Sequence, residues 1–118
     1  MKRNMDLIRE ILLRIESYPE PRGRIDLNID GYSPKEISYH VKLLSEAGLI
    51  EATPLQTLNL FEWHAHSLTW EGHEFLEASR DDKIWNKAKE LVLDKTGTLP
   101  FEVLKQILIG IIQKAIFS

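Results

Sequence analysis

Apolar residues recur at helical spacing in the first segment of the chain. Ile8, Ile11, Leu12 and Ile15 fall on one side of residues 4–17, with Arg9, Glu10, Arg14 and Glu16 elsewhere. That period predicts an amphipathic helix. Asn4 is placed to cap it, and Tyr18-Pro19-Glu20-Pro21 ends it, because a residue before proline avoids the helical region. From Arg24 the period changes to two. Ile25, Leu27 and Ile29 alternate with Asp26, Asn28 and Asp30, which predicts a half-buried strand between Gly23 and Gly31. Ser33-Pro34-Lys35-Glu36 then reads as a helix start, with Ser33 as cap, Pro34 in the first helical position and Glu36 completing a capping box. This helix is expected to reach about Ala47 and stop at Gly48. Ile37, His40, Val41, Leu44 and Ala47 line its apolar face, and Lys35, Ser38, Lys42, Ser45 and Glu46 line the other.

Leu49 to Ala52 restarts as extended chain, Pro54 interrupts it, and Leu58–Leu68 reads as a second strand or a pair of strands. Thr69 caps a helix that begins at Trp70 and carries Phe75, Leu76, Ile84, Trp85, Ala88, Leu91 and Val92. Asp81-Asp82 kinks this helix or divides it in two. Lys95-Thr96-Gly97 closes it, and Pro100 opens a last helix to about Phe117. The order implies an α+β class, mostly helical with a small antiparallel sheet. The organisation expected is one domain over residues 1–118, with 70–96 and 100–117 as appended helices.

Composition narrows the class of protein. The 118 residues suit a single domain, and 43% hydrophobic with 28% charged residues excludes disordered and low-complexity chains. The absence of cysteine removes disulfides, thiolate zinc sites and a cysteine nucleophile. The N-terminus shows no signal peptide, and the longest apolar run, Ile107 to Ile112, is far too short to span a membrane. A cytoplasmic protein without a membrane partner is the expectation.

Charge is unevenly spread. Residues 1–24 hold six basic and four acidic side chains, residues 25–82 three basic and eleven acidic, and residues 83–118 six basic and three acidic. A nucleic-acid surface needs positive potential, because phosphate neutralisation supplies most non-specific affinity. The middle of the chain carries the opposite sign.

Two resemblances bear on function. The string SPKEISYHVKLLSEAGLI, from Ser33 to Ile50, resembles the recognition helix and following turn of winged-helix regulators. The opening MKRNMDLIREILLRIE, the central ISYHVKLLSEAGLIEA and above all HSLTWEGHEFLEASRDDKIWNKAK resemble domain-of-unknown-function family 2513 of bacterial and phage proteins. That resemblance implies a winged-helix-like fold, frequent residence in phages and mobile elements, and no established activity, so no functional residue carries over from it. One departure stands out. A helix-turn-helix needs a helix ahead of the recognition helix, and the residues between Gly23 and Gly31 alternate as a strand instead. The positioning helix is therefore expected to be missing or reduced.

On the helix over residues 34–47, Lys35, Ser38, Tyr39, Lys42 and Ser45 would present donors to a DNA major groove. Against this stands a plain solvated face, with Glu36 and Glu46 offsetting the two lysines. Residues 51–68, the expected wing, contain no Lys or Arg. Arg3, Arg9, Arg14, Arg22 and Arg24 are candidates for a separate basic patch. His73-Glu74-Phe75-Leu76-Glu77 falls short of the zinc-protease pattern because Glu77 replaces the second histidine, and His64, His66 and His73 lack diagnostic spacing. His40 lies on an apolar face and reads as a packed histidine with one ring nitrogen hydrogen-bonded. No nucleophile elbow, phosphate loop or dinucleotide fingerprint is present. No catalytic residue, metal or cofactor is expected.

The last helix is apolar on more than one face. Leu104, Ile107, Leu108, Ile111 and Ile112 are the candidate contacts of a homodimer, since excess apolar area is costly to leave in water. The opposing reading has Trp63, Trp70, Trp85 and the first helix wrap it within one chain. Two functional readings follow. The first is a small non-enzymatic regulator that binds double-stranded DNA as a dimer through the helix over 34–47. The second is a protein-interaction module on the same scaffold, whose acidic middle meets a basic protein partner.

Overall fold

In the computed structural model, which describes residues 1–21, 23–57 and 60–117, α1 (Met5–Ser17) starts at the expected cap. The Asn4 side chain accepts from Leu7 N at 3.1 Å, and the extended backbone of Tyr18 ends the helix. Met5, Leu7, Ile8, Ile11, Leu12 and Ile15 are buried along one face. α2 (Pro34–Glu46) carries the complete capping box, with Glu36 N donating to Ser33 Oγ and Ser33 N donating to the Glu36 carboxylate. Its buried face is Ile37, His40, Val41 and Leu44, and Gly48 takes the left-handed φ of +76° that ends the helix region.

Between α1 and α2 the alternating segment does not become a strand. Its one sheet-like link is Ile25 N donating to Ala65 O at 3.0 Å, an isolated bridge. The chain then departs toward α2 through a turn in which Tyr32 N donates to Ile29 O. Ile25 and Ile29 are buried and Leu27 is half-buried, so the alternation reflects burial of one side without a ladder of hydrogen bonds. Among the described residues, no α-helix lies between α1 and α2. Arg22 lies outside the described residues.

β1 (Ile50–Thr57) and β2 (Leu60–Leu68) form a two-stranded antiparallel sheet. The expected start of the second strand at Leu58 lies outside the described residues. Pro54, expected to interrupt the first strand, sits inside it opposite Trp63. The physical reason is ladder parity. In an antiparallel pair every second residue points its N–H and C=O away from the partner strand, and a proline costs nothing there. The register also skips. Glu51 faces Ser67 while Ala52 faces Ala65, so His66 is an extra, bulged residue. Its ring is held from both sides, Nδ1–H donating to Gly23 O at 2.7 Å and Nε2 accepting from Thr53 Oγ1 at 2.8 Å.

Thr69 caps α3 (Trp70–Ser79): its hydroxyl accepts from Gly72 N and donates to Gly48 O. Asp81-Asp82 divides the expected long helix, with Asp81 Oδ1 accepting from Ile84 N to cap α4 (Asp82–Thr96). Gly97 closes α4 at φ +73°, and α5 (Phe101–Phe117) follows Pro100. The class is α+β: five helices and one small antiparallel sheet.

The chain divides into two compact units, Met1–His73 and Glu74–Ser118, with the boundary inside α3. In the first, α1 and α2 pack together, α2 packs on both strands and α1 packs on β2. In the second, α4 packs on α5, and Phe75 meets Trp85 edge-on and Phe101 at a tilt.

Candidate nucleic-acid interface

The capping box and the buried stripe of α2 fix which side faces out. With Ile37, His40, Val41 and Leu44 inward, Lys35, Ser38, Tyr39, Lys42 and Ser45 occupy a contiguous arc on the opposite side. Lys35 is exposed and the other four are half-exposed. Lys42 is held by Glu46 at 2.7 Å, one turn on. That hydrogen bond, and after it the carboxylate's negative charge, raises the lysine's pKa, so its ammonium stays charged but already has a partner.

A connection that the sequence does not signal brings the chain's first residues to this helix. Asn4, ahead of α1, has no acceptor within its own helix for its backbone N–H. It donates instead to His40 Nε2 at 2.8 Å, while His40 Nδ1–H donates to Glu36 O at 2.8 Å. His40 is therefore bonded at both ring nitrogens, one more than its sequence position suggests. Met1 shares a hollow of about 250 Å³ with Lys35, Tyr39 and Phe61. Lys2 and Arg3, both exposed, lie in the chain between these two points of attachment. Of the other arginines considered, Arg24 borders the first turn of α2 and pairs with Asp26 at 3.4 Å, whereas Arg14 pairs with Glu10 on α1.

Beside this face lies an open cleft of about 510 Å³ between the Arg24–Leu27 segment, the first turn of α2 and residues 61–64 of β2. Lys35 stands at its rim with Ser38, while Phe61, Trp63, Ile25, Leu27 and Ile37 give it an apolar lining. His64 points Nε2 to a buried position without a hydrogen-bond partner, 3.5 Å from the Glu62 carboxylate. The hairpin between Glu51 and Leu68 has no Lys or Arg, and its Glu62 lines the cleft.

The histidines do not converge. His66 is committed to Gly23 and Thr53, His64 lies by Glu62, and His73 is exposed on α3. Among the described residues no three His, Cys, Asp or Glu side chains are grouped to hold a metal ion. Of the candidate dimer residues, Leu104 and Leu108 are fully buried within the chain, which places them in its core. Ile107, Ile111 and Ile112 are half-buried, and α5 leaves Val103, Ile109, Ile116 and Phe117 in solvent. Trp85 is buried and Trp70 is 76% exposed. No helix among the described residues is long and apolar enough to cross a membrane.

Comparison with known proteins gives two matches and one blank. The family described as hypothetical protein (DUF2513) matches residues 2–98. A Haemophilus influenzae protein, named only as uncharacterized, is 44% identical over 108 residues, covering 91% of this chain and 92% of the relative. No solved structure matches.

Proposed function

This chain belongs to the DUF2513 family, and from that premise we propose a function for it: a small, non-enzymatic, winged-helix-like regulator that binds double-stranded DNA as a dimer. The outer face of α2 enters the groove, with Lys35, Ser38, Tyr39, Lys42 and Ser45 as donors. The observation that supports this reading is that Met1 and Asn4, on either side of Lys2 and Arg3, are both attached at α2. In this reading the Asn4–His40 hydrogen bond keeps the start of the chain close enough to α2 for Lys2 to act with Lys35 on one duplex. Phosphate contacts from the arm then supply affinity that two lysines on α2 would not supply alone. A phage or mobile-element setting fits a chain of this size and type.

The hairpin bounds that affinity. A wing with no Lys or Arg adds nothing to phosphate binding, so binding is expected to be weak, with a shallow salt slope set by the few cations of α2 and the arm. Fluorescence anisotropy with a random-sequence duplex at low salt, followed by a salt titration, tests the reading. Affinity should fall linearly with log salt, and Lys35→Ala and Lys2→Ala should each reduce the slope by about one. No binding at low salt sinks it.

The second reading, a protein-interaction module, draws support from the same hairpin. An acidic, cation-free strand pair beside an apolar-lined cleft suits a protein partner better than a phosphate backbone. Failure of the DNA experiment would favour this second reading over the first.

A further inference from the structure

The register of the sheet and the bridge at its outer side together define a gap. Ala65 O accepts from Ile25 N across the outer edge of β2, so ladder parity turns the N–H and C=O of Phe61, Trp63 and Ala65 away from β1. Continued antiparallel from that bridge, the chain would set Leu27 opposite Trp63 and Ile29 opposite Phe61. It turns off toward α2 instead. Among the described residues, no hydrogen bond joins Leu27 or Ile29 to this edge, and none reaches the outward backbone groups of Phe61 or Trp63. The wedge left between Leu27 and Trp63 is the open cleft of about 510 Å³, bordered by the first turn of α2.

We propose that this wedge binds a small, neutral, planar heteroaromatic molecule with a hydrogen-bond donor beside an acceptor, as in a cyclic amide. The N–H and C=O of Trp63 emerge on the same edge, so one flat ring in the plane of the sheet engages both. Its N–H donates to Trp63 O, and its carbonyl accepts from Trp63 N. Its faces meet the apolar lining that Leu27, Ile37 and Phe61 provide. Three observations select this chemistry. The volume falls in the range that holds small molecules, roughly 300–1,000 Å³. The charged side chains of the lining balance, Arg24 and Lys35 against Asp26 and Glu62, so a charged ligand gains no net compensation for leaving water. The free edge is also short. Between Leu60, where β2 starts, and Ala65, which Ile25 occupies, Phe61 and Trp63 are the outward-facing residues, a stretch of ~7 Å. A usual strand runs ~17–20 Å, so a peptide or a second copy of this chain finds too little edge to pair with, whereas a bicyclic ring spans it. Recognition rests on Trp63 and inward apolar side chains, so the site does not depend on whether α2 binds DNA.

Amide NMR on the isotope-labelled full chain tests this with 2-quinolone, a planar bicyclic lactam, as the probe. It should shift the Trp63 amide saturably, together with the amides of Leu27 and Ile37, with a Kd on the order of 1 mM for a ligand of this size. N-Methyl-2-quinolone keeps the ring and the carbonyl but has no N–H, and should bind about 10-fold more weakly or worse. 2-Naphthoate is equally flat but anionic and without a donor, and should also bind more weakly. The absence of a saturable shift at Trp63 up to the solubility limit of 2-quinolone overturns the proposal. So does equal binding of the N-methyl analogue, or a set of shifts that maps away from the cleft. Equal or tighter binding of 2-naphthoate would make the cleft an anion site and overturn it. A blocked Val-Thr-Val-Thr-Val peptide that binds at Phe61 and Trp63 more tightly than the lactam would assign the edge to an added strand. Shifts of these two amides with protein concentration alone would assign it to self-association, and either result overturns the proposal too.

Discussion

His40 links the start of the chain to α2 through a single ring whose two nitrogens have opposite roles. Nδ1–H donates to Glu36 O within the helix, and Nε2 accepts from Asn4 N, 36 residues away in sequence. The ring is 2% exposed, so its partners have little water to replace it. Replacement by alanine strands the Asn4 N–H and removes packing, and should cost about 1–3 kcal/mol in urea unfolding. Hydrogen exchange at the Asn4 amide should rise at the same time. If the DNA reading holds, His40→Ala should also weaken binding, although the residue lies on the inward side of α2 and contacts no DNA. An unchanged Asn4 exchange rate would show that the arm is held by something else.

At the scale of elements, two helical glycines make opposite predictions. A Cβ on Gly72 would collide with the backbone carbonyl of Leu49, which cannot swing aside as a side chain would. Gly72 N also donates to Thr69 Oγ1, and Thr69 N donates to Leu49 O, so the start of α3 is stitched closely to the start of β1. Gly72→Ala should therefore destabilise by about 1–3 kcal/mol. Gly110 lies exposed inside α5, and a Cβ there meets nothing within 4 Å. Gly110→Ala should stabilise α5 by about 0.5–1 kcal/mol through helix propensity alone. Thermal unfolding followed by circular dichroism separates the two. Equal shifts of the same sign would mean that the approach of α3 to Leu49 is looser than its geometry.

At the scale of the whole molecule, the uncovered apolar surface of α5 is the main cost. Ile116 and Phe117 are 67% and 83% exposed, and Ile109 is 38% exposed. Burying an aliphatic or aromatic side chain of this size is worth about 1.5–3 kcal/mol, enough for a few of them to favour association. The proposed dimer should thus use this solvent-facing part of α5, with Leu104 and Leu108 left in the core. Light scattering at high micromolar concentration should give twice the 13.7 kDa chain mass. Ile109→Glu combined with Ile116→Glu should return it to the monomer mass. A monomeric unsubstituted chain under those conditions removes the dimer from the proposal.

Much of the fold was legible in the sequence because it is encoded within a few residues. Asn4, Ser33, Thr69 and Asp81 cap their helices through bonds three residues long, and Gly48 and Gly97 end theirs by their own backbone freedom. The buried and outward faces of α2 follow from its period. What depended on partners distant in the chain was decided only by tertiary structure. Residues 24–30 have the alternation of a strand, yet among the described residues only Ile25 forms a bridge to β2. Pro54 has the chemistry of a strand breaker, yet ladder parity turns its missing N–H to the outside. The bulge at His66 and the bond that ties Asn4 to His40 have no local signal. Each arises where one segment's backbone groups find, or fail to find, a partner on another.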